Sequence, residues 1–122
     1  PKIKISENII INGNKEDIEH IVSTLTDNAI KHTKAQKEVV VELKKEKNEI
    51  VLEVKNMGNP IPEEERKKIF ERFYRIDKSR NRDEKRYGLG LAIAKSTIEK
   101  YNGKIEVFYK DNFTVFKVTI PN

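Results

Sequence analysis

The stretch Thr24-Leu25-Thr26-Asp27-Asn28-Ala29-Ile30-Lys31-His32-Thr33 decides the fold. On a helix, residues three and four apart share a face. Ile18, Ile21, Val22, Leu25 and Ala29 then form the apolar stripe of a core-facing helix. Thr24, Asn28, Lys31 and His32 form a polar stripe beside it. That stripe has two readings. One is a solvated helix edge, with Lys and His favoured near the C-terminus by the macrodipole. The other is the polar wall of a pocket, where the Asn amide oxygen suits a hard metal ion and the Lys suits an anion.

Working outward, Asn14 reads as the N-cap of this helix, with Asp17 three residues on as in a capping box. Before it, Lys2–Ile5 and Asn8–Ile11 read as short strands about a turn at Ser6-Glu7. After it, Glu38–Leu43 is a strand, Lys44–Asn48 a polar turn, and Glu49–Lys55 the returning strand. Asn56-Met57-Gly58-Asn59-Pro60 breaks that strand. Pro62 then fits the first position of a second helix, which carries Ile69, Phe70 and Phe73. Glu63, Glu64 and Glu65 suit its N-terminus. A third helix is expected from about Leu89 to Tyr101, opened by Gly88-Leu89-Gly90 and stopped by Asn102-Gly103. Its apolar face is Leu91, Ala94, Ile98 and Tyr101. Lys104–Tyr109 and Phe113–Ile120 form a last hairpin. The fold expected is a two-layer α/β (α+β) sandwich, a mixed, mostly antiparallel sheet covered on one face by three helices. Residues 1–122 read as a single domain.

Composition narrows the function classes. The 122 residues suffice for a real core, and 36% are apolar against 37% charged. With no cysteine, disulfides, thiolate nucleophiles and Cys-based zinc sites are excluded. No apolar run approaches the roughly 20 residues that span a bilayer. The chain begins at Pro1 with no initiator Met, so a piece of something larger is expected. The net charge is +5, but Arg75 to Arg86 holds six basic against three acidic residues. A basic excess confined to one loop suits a compact polyanion such as a triphosphate better than a nucleic-acid track.

Each remaining chemical signal has a bland alternative. Gly88-Leu89-Gly90 at a helix start suits phosphate, through close backbone approach and free N–H groups. It serves equally as a turn and cap. It is neither a Walker loop nor a dinucleotide-binding fingerprint. Asn56-Met57-Gly58 reads as a strand-end group for a flat heterocycle, or as a turn. Arg75 and Arg80 read as phosphate clamps, or as a solvated charge run.

Their order resembles one family. Asn28-Ala29-Ile30-Lys31-His32-Thr33 matches the Asn box of the catalytic ATP-binding domain of bacterial sensor histidine kinases. Asn56-Met57-Gly58-Asn59-Pro60-Ile61 matches its first glycine box, and Ile69 to Arg80 its Phe box. Gly88-Leu89-Gly90-Leu91-Ala92 matches the second glycine box, and Phe116 to Pro121 the terminal strand. The resemblance spans nearly the whole chain and implies the Bergerat-type fold shared with gyrase, Hsp90 and MutL.

It also implies roles, residue by residue. Asn28 would ligate Mg²⁺ bridging the phosphates of ATP. Lys31 would contact phosphate and His32 would flank the nucleotide. Asn56 would meet the adenine amino group, in a base pocket shaped by Gly58 and Ile61. Arg75 and Arg80 would sit near the terminal phosphate, and Gly88 and Gly90 would let the lid, about residues 75–87, and a helix N-terminus close on the phosphates. Thr24, Phe70, Tyr74 and Leu89 complete the nucleotide contacts. Asn28, Lys31, Arg75 and Arg80 form the catalytic set.

Three positions depart from the family pattern. Asn56 stands where an Asp is usual, Pro60 replaces a second glycine, and Thr24 replaces an Asn. Hydrolase branches carry a Glu at position 24 as general base, and Thr24 cannot take a proton at neutral pH. The resemblance therefore implies a protein-histidine kinase domain. It would donate the γ-phosphate of Mg-ATP to a histidine on a separate dimerisation and phosphoacceptor domain. Further implied partners are a response regulator receiver domain and, for the parent, a second copy. The parent is expected to be a bacterial membrane-anchored sensor with this domain in the cytoplasm, making no direct membrane or nucleic-acid contact. The alternative is a degenerate, non-catalytic nucleotide-fold module that works by protein contact.

Overall fold

Among the described residues, five strands form one sheet in the order β1-β2-β3-β5-β4. In the computed structural model, the residues described are 2–7, 15–33, 37–58, 60–71 and 84–121. The elements in chain order are β1 (Lys2–Glu7), α1 (Lys15–Lys31), β2 (Glu38–Glu46), β3 (Glu49–Asn56), α2 (Glu84–Lys100), β4 (Lys104–Lys110) and β5 (Phe113–Pro121). Between β3 and α2 lie two 3₁₀ turns, Glu63–Glu65 and Lys68–Phe70.

The sheet is mixed, as expected. β1 runs parallel to β2, and the other three pairings are antiparallel. The parallel pair corrects the reading of the N-terminus. Ser6 and Glu7 are not a turn; they continue β1 opposite Glu42 and Leu43. Ser-Glu lacks the Gly or Pro that enforces reversal, so the extended run continues. The expected strand at Asn8–Ile11 and the Asn14 cap lie outside the described residues.

Alternation sets the inner face of the sheet. Val39 and Val41 of β2, Leu52 and Val54 of β3, and Phe116, Val118 and Ile120 of β5 are all buried there. Ile21, Leu25 and Ala29 of α1 and Ala94 and Ile98 of α2 pack down on them. Leu91 and Tyr101 are half-buried against the same core. The apolar faces expected for both helices are the ones observed. The β2–β3 turn is tighter than expected. Lys44, Lys45 and Glu46 stay in the ladder, leaving Lys47 and Asn48 to turn, with Lys47 at a positive φ of 50°.

The middle helical segment takes the form of the two 3₁₀ turns. Pro62 precedes the first. Ile69 and Phe70 both plug the core from the second. These buried residues are adjacent, so among the described residues no stripe at three- and four-residue spacing sustains an α-helix. Phe70 meets Phe116 edge-on, ring centroids 6.2 Å apart.

The last helix starts earlier than expected. It begins at Glu84, so Gly88 and Gly90 lie inside its second turn, and no described glycine has a positive φ. A helical glycine costs only about 1 kcal/mol relative to Ala, which flanking turns can offset. The helix ends where expected. Asn102 is left-handed at φ 62°, and N–H groups of Asn102 and Gly103 donate to the carbonyls of Glu99 and Ile98. That is the Schellman arrangement.

Candidate functional site

The Asn-bearing end of α1, the end of β3 and the glycine turn of α2 converge at one end of the sheet. Helical spacing puts Thr24, Asn28 and His32 in a line, one turn apart. Thr24 faces α2, where a Cβ added at Gly90 would sit 3.5 Å from the Thr24 methyl. The Asn28 carbonyl accepts from the His32 N–H at 3.2 Å in the last turn of α1. The buried Thr33 hydroxyl donates to the Ala29 carbonyl at 2.6 Å, closing the helix end.

The glycine turn after β3 packs on that end. A Cβ on Gly58 would meet the His32 carbonyl oxygen at 2.8 Å and the Asn56 Nδ2 at 3.2 Å. The backbone approach that the turn needs is therefore open only to glycine. The Met57 N–H donates to the Glu38 carbonyl at 3.0 Å, extending the β2–β3 ladder to the turn. Ile61 is half-buried against the core, and its carbonyl accepts from Arg66 Nε at 3.1 Å.

Asn56 is only 5% exposed. It shares the inner face with Val39 and with Thr114, its cross-strand partners on β2 and β5. Thr114 is 3% exposed, and its hydroxyl has no hydrogen-bond partner among the described residues. A buried orphan hydroxyl beside a buried amide is what a polar ligand would satisfy. The sequence reading missed Thr114. The signal was present: β5 alternation requires an inward side chain at 114, and Thr is the polar member of the series 114, 116, 118, 120.

The structure thus joins Thr24 with Gly90, and His32 with Gly58 and Asn56, with Asn28 between the two contacts along α1. Lys31 and His32 are exposed at the rim. Phe70, expected among the nucleotide contacts, belongs to the core. Above its ring sits Lys95 Nζ, 5.9 Å from the centroid, a second contact that the sequence reading missed. Gly88 and Leu89 lie within α2, so the expected placement of a helix N-terminus at the glycines is corrected to Glu84. Tyr74, Arg75 and Arg80 lie outside the described residues, as does most of the expected lid.

The donor chemistry fits Mg²⁺ held mainly by phosphate. Among the described residues there is no group of three His, Cys, Asp or Glu that would cage an ion. An Asn28 amide oxygen would be the protein ligand, and Mg²⁺ readily keeps waters and phosphate oxygens for the rest. A separate notch at the opposite end of the sheet, lined by Ile18, Val22, Leu43, Ile50 and Ile120, is wholly apolar and unsuited to an anion.

Far from the site, Asp17 at the start of α1 accepts from the Tyr101 hydroxyl at 2.5 Å and from Lys100 Nζ at 3.2 Å. The Tyr101 hydrogen bond, then that of Lys100, holds the Asp17 carboxyl below its ordinary value. Lys100 is raised in turn, first by its hydrogen bond to Asp17.

Among the described residues the architecture is a mixed five-stranded sheet under two α-helices, with the Asn-bearing end of α1 packed on a strand-end glycine turn, a two-layer α/β sandwich. The chain belongs to the family of histidine kinase-, DNA gyrase B- and HSP90-like ATPases, whose model matches residues 13–122. It is 32% identical over 112 residues to the probable sensor kinase SilS of Salmonella typhimurium, covering 92% of this chain and 22% of that protein. It is 37% identical over 106 residues to the signal transduction histidine-protein kinase ArlS of Staphylococcus haemolyticus, covering 86% and 23%. The solved catalytic domain of histidine kinase ThkA superposes with a TM-score of 0.82 at 28% identity, covering 98% of this chain and 78% of that one. The chain spans about a quarter or less of the length of the curated relatives it matches.

Proposed function

We propose that this chain binds Mg-ATP between α1 and the Asn56–Gly58 turn and donates the γ-phosphate to a histidine on a separate helical domain. The observation that supports this best is the seating of Gly58 on the His32 carbonyl, which brings two independently read motifs into one wall. Asn28 would hold the metal, which would supply charge neutralisation at the phosphates, and Lys31 and the Arg75 and Arg80 side chains would add positive charge there. Asn56 reads the base, with Ile61 flanking it. In the transfer the bond from the γ-phosphorus to the β-bridging oxygen breaks, a bond to the acceptor imidazole nitrogen forms, and ADP leaves. The protein's part is positioning and electrostatic stabilisation, with no covalent step on this chain. Thr24 offers no base for water, which favours transfer over hydrolysis.

The partners that follow are the parent's own dimerisation and phosphoacceptor helices and a response regulator receiver domain. A ThkA structure in complex with the response regulator TrrA supports the second. Among the described residues no helix is long and apolar enough to cross a membrane. We place the domain on the cytoplasmic side of a membrane-anchored bacterial sensor, without nucleic-acid or direct membrane contact of its own.

The test is calorimetric titration with a non-hydrolysable ATP analogue, with and without Mg²⁺, beside Asn28→Ala. Magnesium-dependent binding lost in the variant is expected. Mixing with the acceptor domain and labelled ATP should then mark a histidine. Absence of binding at millimolar nucleotide would leave the non-catalytic module as the reading.

A further inference from the structure

We infer that the base pocket accepts 6-oxopurine nucleotides alongside 6-aminopurine ones, because its buried polar pair, Asn56 and Thr114, fixes neither a donor nor an acceptor against the base. The inference rests on the nucleotide-binding reading above.

Asn56 and Thr114 face each other across β3 and β5 on the helix-covered side, 5% and 3% exposed. Such partners have Cβ atoms about 5 Å apart, so one planar ligand edge reaches both. An amide carries an acceptor oxygen and a donor NH₂, and a half-turn about its last torsion exchanges them. The Thr114 hydroxyl has no partner among the described residues and donates or accepts by rotation. Both groups are neutral and two-faced.

A 6-aminopurine offers a donor at N6 and an acceptor at N1. A 6-oxopurine offers the reverse, an acceptor at O6 and a donor at N1. Asn56 matches the first with Oδ1 toward position 6 and the second with Nδ2 toward it. A carboxylate at the same position offers acceptors only and repels O6. The nearby fixed acceptor is the His32 carbonyl, which lies with Asn56 Nδ2 around the space that a Gly58 Cβ would fill. An amide NH₂ turned toward it would leave Oδ1 toward the base, a bias to adenine. The freely rotating Thr114 hydroxyl remains available to donate to O6, so the bias stays modest.

Inosine triphosphate is the sharpest probe, since it differs from ATP only at position 6 and the adjoining N1 proton. Titrated against this chain with Mg²⁺, it is expected to bind within about tenfold of ATP, less than the loss of one buried hydrogen bond to a mismatched group. Asn56→Asp is expected to widen that gap to about a hundredfold or more by weakening the inosine nucleotide. A melting curve reports whether the variant is folded, and the comparison in the unsubstituted chain decides the matter without it. ATP binding with inosine triphosphate about a hundredfold weaker would overturn the inference and leave the nucleotide reading intact. Binding of neither nucleotide would overturn both.

Discussion

The two ends of the α1–α2 pair are held together by opposite means. At one end Asp17 gathers Tyr101 and Lys100, and Lys100 also lies 5.4 Å over the Tyr101 ring. Charged and aromatic side chains reach across an exposed gap. At the other end the helices meet through what is missing, Gly90 against the Thr24 methyl, while Gly58 lies against the His32 carbonyl. An end that only needs fastening can use long side chains. On the proposed function, the other end leaves a ligand room between backbones and so uses small ones. The glycine at the fastened end differs in kind, because Gly103 only lets the chain turn closely under β5.

The largest effect should come from Gly103→Ala. The new Cβ would lie 2.7 Å from the Thr119 carbonyl oxygen and 2.9 Å from Ile98 and Ile120 side-chain carbons. Overpacking of this kind costs about 1–3 kcal/mol, read as a lowered denaturation midpoint. Nucleotide affinity of the folded chain should be unchanged. Gly58→Ala should lose a comparable amount of stability, since its clash is also with a backbone carbonyl. Unlike Gly103→Ala, it should also weaken Mg-ATP analogue binding at least tenfold, about 1.4 kcal/mol. If both variants affect binding alike, the contrast between the two ends fails.

Gly90→Ala should do the reverse to stability. At 3.5 Å the added Cβ makes ordinary contact with Thr24, and the helix gains about 0.5–1 kcal/mol. A higher melting point with weaker nucleotide binding would show that this glycine serves the ligand, not the fold. The smallest effect belongs to Tyr101→Phe, which removes one hydrogen bond to a half-buried carboxylate. The Asp17 pKa is depressed, so the bond's contribution is full above the ordinary 3.8 and disappears as pH falls through the lower folded value. The variant should melt slightly below the parent at pH 7 and with it at acid pH. A gap that persists at the lowest pH would mean that the hydroxyl acts through something other than Asp17.

Much of this was legible in the sequence for a simple reason. Ile21, Leu25 and Ala29, and the alternation of Phe116, Val118 and Ile120, are local patterns, and burial follows local patterns. The stop at Asn102-Gly103 was likewise written in residues that tolerate the left-handed region. What was not legible depended on partners remote in sequence. Ser6 and Glu7 extend because β2 lies alongside them. The helix runs back through the glycines to Glu84, with Gly90 packed against Thr24, where read alone the glycines resemble a boundary. Of the proposed site, Asn28, Asn56 and Gly58 were named from their motifs and the family resemblance, and the structure sets Gly58 between Asn56 and the end of α1. Thr114 was overlooked because a threonine in a strand is commonplace until its register opposite Asn56 is known.

The parallel pairing of β1 with β2 has a kinetic consequence. Lys2 sits opposite Glu38, with the whole of α1 between them in sequence. Every other pairing in β2, β3, β4 and β5 involves antiparallel neighbours, and β2–β3 and β4–β5 close over tight turns. Closing the loop around α1 has an entropic cost that is recovered only after α1 has formed and docked, although the β3–β5 pairing, which sets Asn56 opposite Thr114, spans more of the chain. Bonded on one side only among the described residues, β1 should exchange its amide protons sooner than the central strands β3 and β5 in the native state.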